Sequence, residues 1–312
     1  MSRTKMIIDC DTGIDDALAI TYILANPDIE LLGISTTFGN IPVDISVKNS
    51  LLIAENFHKD VKVYRGAEHG WSNEEYIRPE ELDQVHGANG IGNVDLGEPE
   101  GKVQDKSAVE FILESAREYG KDLHLVFVGP LANLAQCIKE DEQAMCDVEN
   151  ITIMGGALTV TGNRNQYGEC NIADDYKAAQ YVFDSRVHLN IIPLDATFKT
   201  FFKVSDIASW KDINQCGKNI YEIARFYYVG EYGSEDIGGA MHDPLAAYAS
   251  YDPTIITNWF ECNLTVEPTG RTIGSFEEIN LPEKRHRVAL DVDAKRFAKD
   301  YIEMVTRLIE RS

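Results

Sequence analysis

Between residues 9 and 16 the chain places four carboxylates, Asp9, Asp11, Asp15 and Asp16, in the run Asp9-Cys10-Asp11-Thr12-Gly13-Ile14-Asp15-Asp16. Like charges crowded this closely take up protons or hold a cation. A helix N-terminus offers only about half a positive charge, too little for four anions. The donors are hard oxygens with no paired Cys or His nearby, which points to Mg²⁺ or Ca²⁺ rather than zinc. The plain alternative is that Asp15 or Asp16 caps a helix, a task for one carboxylate, and that the others are solvated. Two further groups carry polar chemistry. His242-Asp243-Pro244 reads as a helix start, with Asp at the N-cap and Pro at N1; His242 is left unexplained. The loop Asn163 to Asn171 sets two amides around Glu169, groups that orient sugar hydroxyls, although a solvated loop has much the same composition.

These residues need elements to position them. Met6-Ile7-Ile8 reads as a short buried strand, Gly13 breaks the chain, and the segment from Asp16 is apolar on every side, as a buried helix would be. Strands are expected at 29–38, 61–64, 123–128, 151–154 and 187–193, and helices at 43–57, 107–119, 131–140 and 175–184. Residues 200–240 look helical and aromatic-rich, and a helix covers 245–249. The tail from Asn263 to Val292 reads as strands with turns, followed by an amphipathic helix at 293–309. Residues 66–105 lose periodicity and contain a Gly-rich stretch with His86; a segment this long is functional or disordered. Strands alternating with helices and no linker predict one α/β domain over residues 1–312, built on a mainly parallel central sheet flanked by helices, with an antiparallel edge from the tail. Several strands end in Gly plus a polar residue: Asp11-Thr12-Gly13, Gly39-Asn40, Gly129-Pro130 and Gly155-Gly156. In a parallel sheet these ends share one side, where ligands bind, although each is also an ordinary turn.

The whole chain narrows the function further. A net charge of −22 argues against nucleic acid or an anionic membrane as partner. Six scattered cysteines without a CxxC pair read as reduced thiols, and no apolar run is long enough to span a membrane. With MSRTK leading directly into the first strand, a soluble cytoplasmic protein is expected.

The ordered motifs resemble those of the nucleoside hydrolases, of the type that accepts inosine and pyrimidine nucleosides. The D-x-D-x-G-x-D-D run is followed by TTFGN ending at Asn40, VHGANGIG from Val85, FVGPLANLA from Phe127 and IMGGAL from Ile153. GN at 162–163, ECN at 169–171, HDPLA at 242–246 and VALDVD at 288–293 complete the series over nearly the whole chain. The resemblance implies Ca²⁺ held by Asp11, Asp16, Asp243 and the carbonyl of Val128, with Asp11 also the general base toward the attacking water. It implies that Asp15, Asn40, Glu169 and Asn171 hold the ribose hydroxyls, with Asn163 near the 5′-hydroxyl and Met154 at the sugar face. His86 and His242 fall on the base side, His242 as proton donor to the leaving base, with 66–105 and the aromatics 226–232 as lids. Family members are often dimers or tetramers. Departures are Thr12 for Pro, Cys170 for an aromatic, Asn89 for Asp, and Asp175-Tyr176-Lys177 for D-P-E.

Two rivals share the leading motif. A haloacid-dehalogenase-like Mg²⁺ phosphatase would use Asp9 as nucleophile, but it needs a Lys near a later strand end, and GPLAN and MGGAL offer none. A non-catalytic nucleoside sensor would keep the metal site, and the intact Asp11 and His242 weigh against it.

Overall fold

A computed structural model describes residues 3–312. The chain runs β1 (Thr4–Cys10), α1 (Ile14–Ala25), β2 (Ile29–Thr36), α2 (Val43–Asn56), β3 (Val63–Arg65), α3 (Leu82–His86), α4 (Ala108–Tyr119), β4 (Leu123–Phe127), α5 (Ala132–Cys146) and β5 (Asn150–Met154). It continues through α6 (Cys170–Asp174), α7 (Tyr176–Asp184), β6 (Leu189–Ile192), α8 (Leu194–Thr197), β7 (Phe201–Phe202), α9 (Gln215–Tyr232), β8 (Gly239–Ala240) and α10 (His242–Tyr251). Last come β9 (Ile256–Cys262), β10 (Leu264–Val266), β11 (Phe276–Glu278), β12 (His286–Val292) and α11 (Ala294–Arg311).

Eight strands form one sheet in the order β3-β2-β1-β4-β5-β6-β12-β9. All neighbours are parallel except β9, which closes one edge antiparallel to β12; the tail from Asn263 supplies β12, whereas the antiparallel edge strand itself is Ile256–Cys262, ahead of the tail expected to form it. Chain order runs outward from β1 through β2 to β3, then restarts with β4 on the other side of β1. That reversal makes the crevice above β1 and β4 a topological switch point, where ligands bind in open α/β sheets.

One apolar cluster joins the sheet to α1, α2, α9, α10 and α11, and a second joins its other face to α4, α5 and α7. Every residue from His242 to Ser250 is buried, so α10 needs no polar face. By contrast α11 buries Phe297, Tyr301, Val305, Leu308 and Ile309 at three- and four-residue spacing and exposes Lys295, Lys299, Glu303, Arg307, Glu310 and Arg311 on the opposite face.

Three expectations change. The helix at 131–140 runs on to Cys146, with a break at Asp141 (φ −153°, ψ 77°). The 200–240 region is not all helix, because β7 and β8 pair antiparallel across its ends. Residues 66–105 hold little regular structure beyond α3, yet they are fastened by side chains. Asp175 accepts the N–H groups of Trp71 at 3.0 Å and Ser72 at 2.9 Å, and Arg78 donates to the carbonyls of Asn40 at 2.7 Å and Gly87 at 3.0 Å. Among the described residues no helix is long and apolar enough to cross a membrane.

Candidate active site

The polar ends of β1, β2, β4 and β5 do meet. They floor a pocket of about 390 Å³, walled by α3, α9, the 163–171 loop and the start of α10. Asp15, Asn40, His86, Val128, Met154, Asn163, Glu169, Asn171, His242 and Asp243 all line it, while Asp11 and Asp16 lie in the buried layer beneath.

Asp16 is a partial cap. Its Oδ2 accepts the N–H of Gly13, the N-cap of α1, at 2.9 Å, and its Oδ1 accepts the N–H of Asp11 at 3.1 Å. Asn40 braces both carboxylates, donating its side-chain amide to Asp16 at 3.2 Å and its backbone N–H to Asp11 Oδ2 at 2.5 Å. Gly13 is required by crowding, since a Cβ there would sit 2.6 Å from His86 Nδ1 and 2.8 Å from Asn40 Nδ2. Asp243 is not the N-cap of its helix. Met241 holds that position and α10 starts at His242, so the Asp243 carboxylate is not spent on capping.

Asp11 Oδ1, Asp15 Oδ1 and Asp243 Oδ2 are buried without a hydrogen-bond partner. One oxygen each from Asp15, Asp16 and Asp243 lies within 4.8 Å of the others. Burial pushes all four carboxyls up: Asp11, Asp15 and Asp243 rise well above the usual range, with repulsion from neighbouring Asp groups adding to it. A hard divalent cation fits this donor set, because it would satisfy the orphaned oxygens and relieve the repulsion together. The tight triad contains Asp15 in place of the expected Asp11, which stands behind it bonded to Asn40.

On the sugar side, Glu169 caps α6. Its oxygens accept the N–H groups of Asn171 at 2.9 Å, Gly156 at 2.9 Å and Ile172 at 3.2 Å, and burial pushes its carboxyl up to about 7. Asn171 donates its amide to the carbonyls of Val128 at 2.8 Å and Met154 at 3.2 Å, which leaves its Oδ1 as the atom to meet a hydroxyl. Asn163 Oδ1 accepts the N–H of Cys170 at 3.0 Å and so shapes the loop. Burial pushes the Cys170 thiol well up, leaving it a neutral wall.

Opposite lie two neutral imidazoles. Burial, then the charge of Arg78, pushes His86 down to about 3, and burial pushes His242 down to about 4. His242 Nδ1 is 2.7 Å from Thr197 Oγ1, and its ring meets Phe198 edge-on. Of the aromatics at 226–232, only Tyr227 lines the pocket, its ring 5.8 Å from His86. Tyr228 is 1% exposed with its hydroxyl against Met241, a core residue rather than a lid.

Sequence reasoning missed Thr197, Arg78, Arg164, Gln84 and Glu231. Arg164 bridges Asp174 at 2.6 Å and Glu81 at 3.4 Å, tying the 163–171 loop to the residue before α3. None of these stands in a motif with chemical spacing; only the fold gathers them.

Fold and site together define an α/β protein whose switch-point crevice combines a carboxylate nest with sugar-orienting amides. Residues 6–299 match the family model described as inosine-uridine preferring nucleoside hydrolase. Uridine nucleosidase 1 of Arabidopsis thaliana is 36% identical over 261 residues, covering 81% of this chain and 75% of that protein. Pyrimidine-specific ribonucleoside hydrolase RihA of Salmonella paratyphi B is 30% identical over 302 residues, covering 94% and 95%. The structure of a purine-preferring ribonucleoside hydrolase from Gardnerella vaginalis superposes with a TM-score of 0.95 at 35% identity, covering 99% and 100%. The chain belongs to the nucleoside hydrolase family and is an N-glycosyl hydrolase of ribonucleosides. The three relatives are named for different bases at similar identity, so overall identity does not carry base preference.

Proposed function

We propose that this protein is a Ca²⁺-dependent ribonucleoside hydrolase of the inosine-uridine type, giving ribose and a free purine or pyrimidine base. The observation that carries this is the buried nest of Asp11, Asp15, Asp16 and Asp243, with orphaned oxygens facing a pocket lined by Asn171 and Glu169. Asp16, Asp243, the Val128 carbonyl and Asp11 or Asp15 would hold the cation. When bound, the ion supplies positive charge that anchors the vicinal diol and acidifies the attacking water.

The chain's own residues do the rest. Asp15, Asn40 and Asn171 fix the ribose hydroxyls, and Asn163 and Met154 bound its 5′ end and face. Asp11 keeps one carboxylate oxygen without a partner, the position of a general base that takes the water's proton. Loss of the base builds positive charge on the ribose, which this ring of carboxylate and amide oxygens stabilises. The departing base takes up its proton on the His242 side of the pocket, the neutral His242 ring passing on one N–H proton as its Nδ1 regains one through the Thr197 hydroxyl 2.7 Å away and ultimately from water, while Tyr227, Val85 and Met154 wall that side.

Six unpaired cysteines support a cytoplasmic setting, and self-association as a homodimer or homotetramer is part of the same reading. The test is ribose release from inosine, uridine, cytidine, adenosine and guanosine, before and after chelator treatment. Release that disappears with the metal supports the proposal. A folded, Ca²⁺-loaded protein that binds nucleoside but releases no base supports the sensor alternative instead.

A further inference from the structure

The residues assigned so far leave open the rim of the pocket formed by Gln84 of α3 and Glu231 of α9. Gly230 brings the two elements together, since a Cβ there would lie 2.1 Å from the Gln84 carbonyl oxygen. Only glycine lets α9 rest directly on α3 at this point. Glu231 is one helical turn beyond Tyr227 and shares its face, and Tyr227 packs beside His86 at the end of α3. No cation neutralises Glu231 among the described residues: Arg225 is held by Glu222 and Glu235, and Arg164 by Asp174 and Glu81.

We propose that Glu231 and Gln84 form the edge that reads the base, and that, within the broad substrate range of the inosine-uridine type named above, they favour guanosine over the other common ribonucleosides. The inference rests on the hydrolase reading above. An ionised carboxylate only accepts, and it is best met by two parallel N–H donors. Guanine presents N1–H and the N2 amino group side by side, next to an O6 that the Gln84 amide can meet. Hypoxanthine lacks the amino group. Uracil flanks its one N–H with two carbonyl oxygens that a carboxylate repels. Adenine and cytosine set their amino group beside a bare ring nitrogen, whose lone pair would face the second carboxylate oxygen. Gln84 and Glu231 are both exposed, so a charge-assisted hydrogen bond at this rim favours guanosine by up to about tenfold.

The test compares kcat/KM for guanosine, inosine and 1-methylguanosine on the Ca²⁺-loaded protein and on Glu231→Gln. Guanosine is expected to exceed inosine by about tenfold, with 1-methylguanosine falling toward inosine, and the guanosine-to-inosine ratio should approach one in the variant. Inosine preferred by the wild type, or a ratio unmoved by Glu231→Gln, would overturn the assignment. If none of the ribonucleosides releases base, the hydrolase reading fails separately. The dissociation constants of guanosine and inosine then decide on Glu231: tighter guanosine supports it and equal values overturn it.

Discussion

The Nδ1 nitrogen of His86 accepts the backbone N–H of Ile14 at 3.1 Å. Because that nitrogen is the acceptor, the neutral ring carries its proton on Nε2 and can donate to a ligand. The same bond joins α3 to the start of α1, directly beside Asp15. His86→Ala should leave the Ile14 N–H buried without an acceptor, a penalty of about 1–3 kcal/mol, and should free the α3 wall. We expect kcat/KM for inosine and uridine to fall roughly tenfold to a hundredfold, mostly through KM, with a melting temperature lowered by only a few degrees. Wild-type kinetics in this variant would remove His86 from the site.

Asp11 separates catalysis from stability. Its carboxylate has an orphaned oxygen and stands among like charges, so the metal-free fold carries it at a cost. Asp11→Ala should abolish base release while circular dichroism reports an intact fold. Asp11→Asn keeps the shape and can still accept the Asn40 N–H, but it removes one negative charge facing Asp16. The chelated Asp11→Asn protein should therefore melt at least as high as chelated wild type. Turnover near the wild-type rate in either variant would sink the role of general base.

What could be read from the sequence follows from physical locality. The parallel sheet, its order of elements and the carboxylate nest were legible because apolar runs and clustered charge are local signals. The antiparallel edge was placed too late in the chain, since Ile256–Cys262 forms it ahead of the tail read from Asn263, and which strand takes an edge is decided by pairing with β12 rather than by a local signal. Asp243 misled, because Asp-Pro is a good helix start in isolation, whereas here Met241 occupies the cap and the carboxylate turns toward Asp15 and Asp16. Residues 66–105 have no periodicity to read. Their order comes from distant partners such as Asp175, 104 residues after Trp71 in the chain. Thr197, Gln84 and Glu231 carry no motif at all, and only the packing of α8, α3 and α9 around the crevice gives them a role.

Removing the cation should destabilise the protein as well as silence it. A ligand present at a hundredfold excess over its Kd adds about 3 kcal/mol to the folded state, and the nest has no other compensating charge. Chelator treatment should lower the melting temperature by several degrees, and Ca²⁺ should restore it better than Mg²⁺. The donors are spread over α1, α10 and the end of β4, an arrangement suited to the larger and more flexible coordination of Ca²⁺. A melting curve and a ribose-release rate that both ignore the chelator would contradict the metal assignment.

Far from the pocket, His286 offers a test of pH-dependent stability independent of catalysis. It opens β12, 2% exposed and edge-on to Phe183 with ring centroids 5.4 Å apart, and neither ring nitrogen has a hydrogen-bond partner. Burial, then the charge of Arg285, pushes it down to about 4. The ring is thus neutral in the fold but protonates near its ordinary value of 6.5 in the unfolded chain. Its contribution is fully present above pH 6.5 and is lost as pH falls from there through about 4, up to about 3 kcal/mol in all. His286→Leu removes that titration and fills the same space with apolar contacts beside Phe183. The variant should be at least as stable as wild type at pH 7.5 and should lose less stability between pH 6.5 and 4, read from urea midpoints across that range. Parallel pH profiles for the two proteins would mean that the buried ring is not held neutral, and that the acid sensitivity of the fold lies in other groups.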